Sequence, residues 1–575
     1  MTADDNIHSQ EQTALVLQGG GALGAYEAGC YQEIYKQASQ QHPDGRLFDI
    51  IAGTSIGAIN SSVLVGYYLK NGNSWEGSDK ALLEFWQGLE TPTFADALIR
   101  ENHAVANWWN YLHSLNPGIA DAETARRFWS IFEFSFTTLG VPHMYRPVPQ
   151  WGSKYFNPYT DFLPWWRYDY EPLREYLSSF VDFPIKTSFE KGQPRLLLTS
   201  VDVEDYTSAV VFDSYEKLHP AFDSGSTSHH HTQSDDKQGE NSNRWYSQYG
   251  TTENPHIVFY DGIGLDQVLA SALGKYSLNH PTIFDAVTNS NRELWDGGYL
   301  SNTPLRELLA SHRKYWREYH KKKNKHIMSR NLVEIPDLEV YIVNLHPSVA
   351  RDIPTDKDLV DNRENDILFH DRTTFDEMVA YLRTDYVDLA RRLVDLAKSN
   401  GLSDNVDEIL KMEAKSVARI GGEFRFATYK DIIDGRTNTS KVWRIDRHEN
   451  PGAIYGKTTD FTHSSLRGLI LDGQRDAKVS LNLMKIIFAM EDLIADGTVS
   501  PKDGEEAVAR IRKLMATEEL HKKSKVEIIE AYDRFLKTTE RIVHTKERRQ
   551  TLIEPARDIL EFFTGAEPAI KSSEG

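Results

Sequence analysis

The chain reads as an α/β protein, with a mainly parallel sheet covered by helices and then a mostly α-helical C-terminal region. Three observations predict this. Two short apolar runs, TALVLQ at 13–18 and LFDIIAG at 47–53, each lead through glycines into a helix-length segment. Strand-like runs return at 194–203, 208–214, 256–261 and 338–347. From about residue 371 onward, apolar residues recur at helical spacing instead. A β-loop-α-β-turn-α run is the pattern of parallel strands joined by covering helices.

At 575 residues the chain exceeds one ordinary core. We expect an acidic, disordered N-terminus at 1–12, an α/β unit at 13–345 and a mainly helical region at 346–575. MTADDNIHSQEQT has no basic or apolar segment of a secretory signal. IIAGTSIGAINSSVLVGYYL, at 50–69, has the length of a membrane span, but its glycine-serine turn makes it a buried strand–turn–helix. The net charge of −19 argues against nucleic acid as a partner. The single cysteine, Cys30, allows no internal disulfide and suits a reducing compartment, so the expected location is cytoplasmic, with peripheral contact at a membrane surface as an extension.

Within the α/β unit, residues 25–38 and 58–70 form the first two helices. Eight of the twelve tryptophans fall between about 75 and 185, an aromatic-rich insertion read first as core and second as a cap over an apolar pocket. A Ser/His/Gln/Asp-rich stretch at about 222–254 has little to bury and reads as a mobile loop; its His229, His230 and His231 are expected in solvent. DQVLASALGKY is a helix, and Thr303 and Pro304 suit the start of another. HRKYWREYHKKKNKH, at 312–326, is a basic island, by default a solvated helix end and otherwise a contact for an anionic membrane. Thr374 and Glu377 have the spacing of a capping box. Val526, Ile529, Tyr532 and Leu536 form a helical packing stripe.

GTSIG, from Gly53 through Ser55 and Ile56 to Gly57, matches Gly-x-Ser-x-Gly between an apolar strand and a helix. A sharp turn there exposes the Ser55 hydroxyl, and the helix start supplies N–H groups. The simpler reading is a helix cap at Ser55. Upstream, Gly19, Gly20, Gly21, Ala22, Leu23 and Gly24 fit Gly-x-Gly-x-x-Gly, which also describes dinucleotide sites. That reading requires an acid at the end of the next strand, but the strand runs straight into the Ser55 turn. The alternative is an oxyanion hole, whose donors can each be worth ~3 kcal/mol in the transition state. Asp296, followed by Gly297 and Gly298, could bring a carboxylate to the serine, or simply start a turn. No histidine sits in an active-site turn, and no zinc or calcium motif appears; no cofactor is expected, and turnover should be calcium-independent.

Together, a glycine-rich loop after the first strand, a Gly-x-Ser-x-Gly elbow about thirty residues on and a distant WDGGYLSNTPL resemble the patatin-like phospholipases over roughly residues 13–312. The resemblance implies a three-layer α/β/α core and a Ser–Asp dyad without histidine. By it, Ser55 is the nucleophile, Asp296 the base and Gly19–Gly24 the oxyanion loop. The expected activity is that of a serine lipid acyl hydrolase, phospholipase A- or lysophospholipase-like, acting on a lipid or other acyl ester. NDILFHDRTTFDEM resembles the helical extension of some bacterial members. Leu23 stands where many members carry Arg or Lys, and LASALGKYSLNHPTIF departs from the usual Ala- and Pro-containing form. Two other readings are a Ser-His-Asp esterase or thioesterase and a non-catalytic protein that binds a lipid surface or a partner.

Overall fold

Along the chain, β1 (Gln12–Leu17) leads through a glycine-rich turn into α1 (Gly24–Gln41), and β2 (Ile50–Thr54) through a sharper turn into α2 (Ile56–Lys70). Helix α3 (Ser78–Gly88), a hairpin of β3 (Arg146–Pro149) and β4 (Trp166–Asp169), and α4 (Glu171–Phe180) follow. Strands β5 (Arg195–Asp202), β6 (Ala209–Asp213), β7 (Arg244–Gln248) and β8 (Ile257–Tyr260) precede α5 (Leu265–Ala272). Then come β9 (Thr282–Asp285), β10 (Ser290–Asp296), α6 (Leu305–Lys323) and β11 (Leu338–Asn344). Helices α7 (Lys357–Phe369), α8 (Thr373–Ser399), α9 (Ser403–Lys411) and α10 (Tyr429–Ile433) lead to β12 (Thr439–Asp446). Helices α11 (His463–Ala495), α12 (Pro501–Thr517), α13 (Lys525–Ile542) and α14 (Lys546–Thr564) complete the order. This computed structural model describes residues 11–91, 140–149, 166–204, 209–216, 244–248, 257–274, 277–278, 280–286, 288–323, 335–349, 353–354, 357–412, 428–433, 439–448, 457–517 and 524–564.

The ten-stranded sheet runs β10-β9-β7-β8-β6-β5-β2-β1-β11-β12. Its β5-β2-β1-β11-β12 half is entirely parallel. The other half mixes directions, and β10 returns to pair antiparallel with the end of β5, Asp296 opposite Ser200. Every residue of β1, β2, β5 and β11 is buried, as parallel strands covered on both faces require. Period-2 alternation divides their side chains. Leu15, Leu17, Ile51, Leu196, Leu198, Tyr341 and Val343 face α1, α2 and α3. Ala14, Val16, Ile50, Ala52, Leu197, Val340 and Ile342 face Leu305 and Leu308 of α6. The core is therefore a three-layer α/β/α arrangement. A separate apolar cluster joins α11 to α12 and α14, through Ile487, Met490, Ile511, Leu552 and Ile559.

The helical C-terminal region contributes one strand to the sheet: β12 pairs with β11 from Leu338 to Asn344. The sheet therefore does not end at the division expected near residue 345. Trp443 of β12 stacks on Tyr341, and its indole N–H donates to Glu339 at 2.6 Å. Three local expectations are corrected. The basic island is not a solvated helix end in its first half, because His312, Lys314, Trp316 and Arg317 of α6 are buried. Trp316 donates to Gln12 of β1, and burial pushes His312 down to about 3. No capping box forms at Thr374: α8 starts at Thr373, whose N–H takes Asp371, and Glu377 accepts from Arg444 of β12 instead. In α13, Val526 and Ile529 are exposed, whereas Ile528 is buried.

Trp75 and Trp86 of the aromatic insertion are core residues. Trp108, Trp109, Trp129, Trp151 and Trp165 lie outside the described residues, as does the 222–254 loop except for β7. Residues 50–69 form β2, the turn and α2. Among the described residues, no helix is long and apolar enough to cross a membrane.

Candidate active site

Two strand-to-helix turns side by side in the parallel half create the site. At the end of β2, Ser55 takes φ 57° and ψ −123°, a left-handed turn that sends the chain directly into α2. Gly57 permits this: a Cβ there would stand 2.3 Å from the Leu17 carbonyl oxygen of β1. Gly53 meets the same crowding from the Gly57 carbonyl, and the buried Ile56 packs towards Gly24 of α1. The Ser55 N–H donates to Ser271 Oγ of α5 at 3.2 Å, and Ser271 in turn donates to the Thr199 carbonyl. Thr54 and Thr199 are hydrogen-bonded beneath the turn.

Asp296 closes β10 and caps a short turn, Gly297–Tyr299. Its Oδ2 accepts the Ser55 hydroxyl at 2.5 Å, and its Oδ1 accepts the Gly298 N–H at 2.8 Å. Gly297 lies against the Thr199 carbonyl, with no room for a Cβ. Burial raises the Asp296 carboxyl to about 6, against the lowering effect of the Ser55 hydroxyl and the Gly298 N–H. Tyr170 also neighbours this carboxylate, and its phenol is pushed up chiefly by burial. Tyr299, the last residue of the turn, and Leu300 after it are 50% and 38% exposed.

The glycine loop passes beside the serine. A Cβ on Gly19 would stand 2.8 Å from Ser55 Cβ and 2.3 Å from Asn302 Oδ1. Gly20 leads into a short turn, Gly21–Leu23, and Gly24 starts α1. Gly21 has φ +58°, and a Cβ there would meet the Thr458 carbonyl oxygen at 2.1 Å. The backbone N–H groups of Gly20, Gly21 and Ala22 find no acceptor among the described residues, so they remain available to an anion at a helix start. Leu23 is buried and offers no charge to the site.

The structure thus brings Ser55, Asp296 and the start of the glycine loop together. It also adds residues that the sequence did not single out. Asn302 donates to the Gly19 carbonyl at 3.1 Å and accepts the Gly19 N–H through its own carbonyl at 3.2 Å. Ser271 and His346 are the other two. His346 follows β11, and its Nε2 lies 3.1 Å from the Gly19 carbonyl oxygen. The only hint in the sequence was a polar pair, Asn344 and His346, at the end of an apolar strand. Among the described residues, no histidine hydrogen-bonds Ser55 or Asp296, and no group of three or more His, Cys, Asp or Glu is placed to hold a metal ion.

No curated protein sequence matches the chain. Among solved structures, VipD from Legionella pneumophila is similar at 13% identity, over 97% of this chain and 81% of that one, with a TM-score of 0.27, too loose a superposition to bear on fold or function. The family model for patatin-like phospholipase matches residues 15–309, just over half of the chain and the stretch that includes both turns and Asp296. The chain belongs to the patatin-like phospholipase family, and is accordingly a lipid acyl hydrolase acting on ester bonds.

Proposed function

We propose that Ser55 and Asp296 form a catalytic dyad that cleaves fatty-acyl esters of phospholipid or lysophospholipid through an acyl-enzyme. The observation that carries this is the 2.5 Å hydrogen bond from the Ser55 hydroxyl to a carboxylate that burial raises to about 6. An aspartate in water, with a pKa of ~3.9, is a weak base for a serine hydroxyl. Desolvation narrows that mismatch, and the unbonded N–H groups of the glycine loop suit the negative charge that develops on the ester oxygen.

In the first step Asp296 takes the Ser55 proton as Oγ attacks the ester carbonyl. The tetrahedral oxyanion lies against Gly20, Gly21 and Ala22. Collapse of this intermediate expels the alcohol, which takes the proton back from Asp296, and leaves an acyl-serine. Water then loses a proton to Asp296 and attacks the acyl group, and collapse of the second tetrahedral intermediate releases the fatty acid as Ser55 Oγ takes the proton back from Asp296. Every proton transfer uses the same carboxyl group. The exposed Tyr299 and Leu300 beside the dyad suit an apolar substrate and transient contact with a membrane surface. We assign the acyl hydrolase unit to residues 13–345, extended by β12.

A panel of lipid esters, assayed with wild type, Ser55→Ala and Asp296→Asn, tests the reading. Wild type should hydrolyse at least one phospholipid or lysophospholipid and react with a fluorophosphonate probe. Ser55→Ala should do neither. Full hydrolysis by Asp296→Asn would show that another base serves Ser55.

A further inference from the structure

We infer that His346, Asp366 and Lys457 form a buried positioning relay that holds the Gly19–Gly20 peptide in the orientation acyl transfer requires. The inference rests on reading the glycine loop as the oxyanion hole. All three residues lie beyond residue 309, where the family match ends.

His346 is 3% exposed, Asp366 2% and Lys457 8%. His346 Nε2 is 3.1 Å from the Gly19 carbonyl oxygen, and its Nδ1 is 3.2 Å from Asp366 Oδ1. Lys457 Nζ donates to the same Oδ1 at 2.6 Å. A carbonyl oxygen only accepts, so His346 Nε2 carries the proton in this bond. Asn302 Nδ2 donates to the same oxygen, so the Gly19 carbonyl is gripped by two side chains.

A trans peptide is planar, with its C=O and N–H pointing in opposite directions. Pinning the Gly19 carbonyl towards His346 and Asn302 therefore turns the Gly20 N–H away from them. The relay also meets the loop a second time. Lys457 opens the short turn Lys457–Thr459, and the next residue, Thr458, presses its carbonyl against Gly21.

The charges facing His346 are Asp366, Lys457 and Arg447. With its Nε2 proton given to Gly19, His346 donates from Nδ1 to Asp366 only as the imidazolium, the form that Asp366 favours and that burial, which holds the ring below its usual pKa, opposes. For Asp366, burial would raise the carboxyl, but His346 and Lys457 outweigh it and keep the group ionised. Buried ion pairs add little stability over apolar packing of the same shape, so the effect of this one lies in orientation. A donor displaced by a fraction of an ångström stabilises the oxyanion less while leaving substrate binding intact.

The test uses the full-length chain, a soluble short-chain p-nitrophenyl ester and a fluorophosphonate probe. His346→Leu should lower kcat about 30-fold, leave KM within about twofold and slow labelling by a similar factor. His346→Gln, which keeps a donor for Gly19, should recover to within about fivefold of wild type. Asp366→Asn and Lys457→Met should each lower kcat about five- to tenfold. A folded His346→Leu variant with wild-type kcat, equal losses in the Leu and Gln variants, or an effect on KM alone would each overturn the relay. If His346→Leu does not fold, the same-shaped Asp366→Asn decides by the same kcat-against-KM split. Ser55→Ala separates the two levels. If it retains hydrolysis, the site reading falls and the relay with it; if it is dead while the relay variants match wild type, only the relay falls.

Discussion

The carboxylate of Asp296 is held from both sides, its Oδ2 by the Ser55 hydroxyl at 2.5 Å and its Oδ1 by the Gly298 N–H at 2.8 Å. Neither oxygen can rotate away without breaking a bond, and burial places the group's pKa at about 6. A base must be unprotonated to accept the serine proton. kcat/KM for a soluble ester should therefore rise with pH through about 6 and level off above about pH 7. Asp296→Asn should lack this limb and lose about a thousandfold or more in kcat. A limb centred near 4 would contradict the burial argument.

The same shift affects stability, with the opposite benefit. Folding raises the carboxyl from its ordinary 3.8 to about 6, so the folded state favours the protonated form. Stability from this group is fully present below about pH 3.8 and is lost as pH rises through about 6. Asp296→Asn should therefore melt higher than wild type at pH 8 and close to it at pH 4. Thermal unfolding of both proteins at the two pH values measures the difference.

Ser271 supplies the acceptor for the Ser55 N–H at 3.2 Å. Ser271→Ala leaves that buried donor unmet at the most sharply bent residue of the site. The expected cost is about 1–2 kcal/mol in denaturant unfolding. In steady-state kinetics kcat should fall about tenfold, with KM nearly unchanged.

Helices α1 and α11 cross at Gly473, where a Cβ would stand 2.2 Å from the Tyr26 carbonyl oxygen. Backbone cannot yield as a flexible side chain does. Gly473→Ala should cost about 2–3 kcal/mol by chemical unfolding, the scale of an overpacked core. The equivalent change at Gly468 of the same helix meets open space and should be nearly silent.

The proposed proton transfers pass between Ser55, Asp296, water and the leaving alcohol. Hydrolysis rates in chelator and in added calcium should therefore agree within about twofold. An absolute calcium requirement would show that a further group takes part.

The parts of the fold that were legible in the sequence are those where function crowds the backbone locally. TALVLQGGG and IIAGTSIG each place a strand, its terminating glycines and a helix start within a few residues, so the pattern survives without any partner in view. Asp296 was legible for the same reason, through Gly297 and Gly298. β12 was not, because TSKVWRID sits among helices and makes sense only beside β11. His346 looked like an ordinary residue after a strand, and its partners Gly19, Asp366 and Lys457 come from three remote segments. The Thr374–Glu377 spacing misled because Arg444, unseen from the local sequence, claims Glu377. Local rules hold where neighbours in the chain are neighbours in space.

Strand β1 sits between β2 and β11, and the turn that follows it is pressed by Thr458. During synthesis, the hydroxyl and the carboxyl emerge well before residues 457 and 458 do. At about 5–20 residues per second, the interval between position 296 and position 457 lasts about 10–30 s. For that time a nascent polypeptide carries both groups of the proposed dyad without the proposed brace behind its first glycines. Full acyl-transfer activity should therefore appear only once the ribosome has passed residue 458.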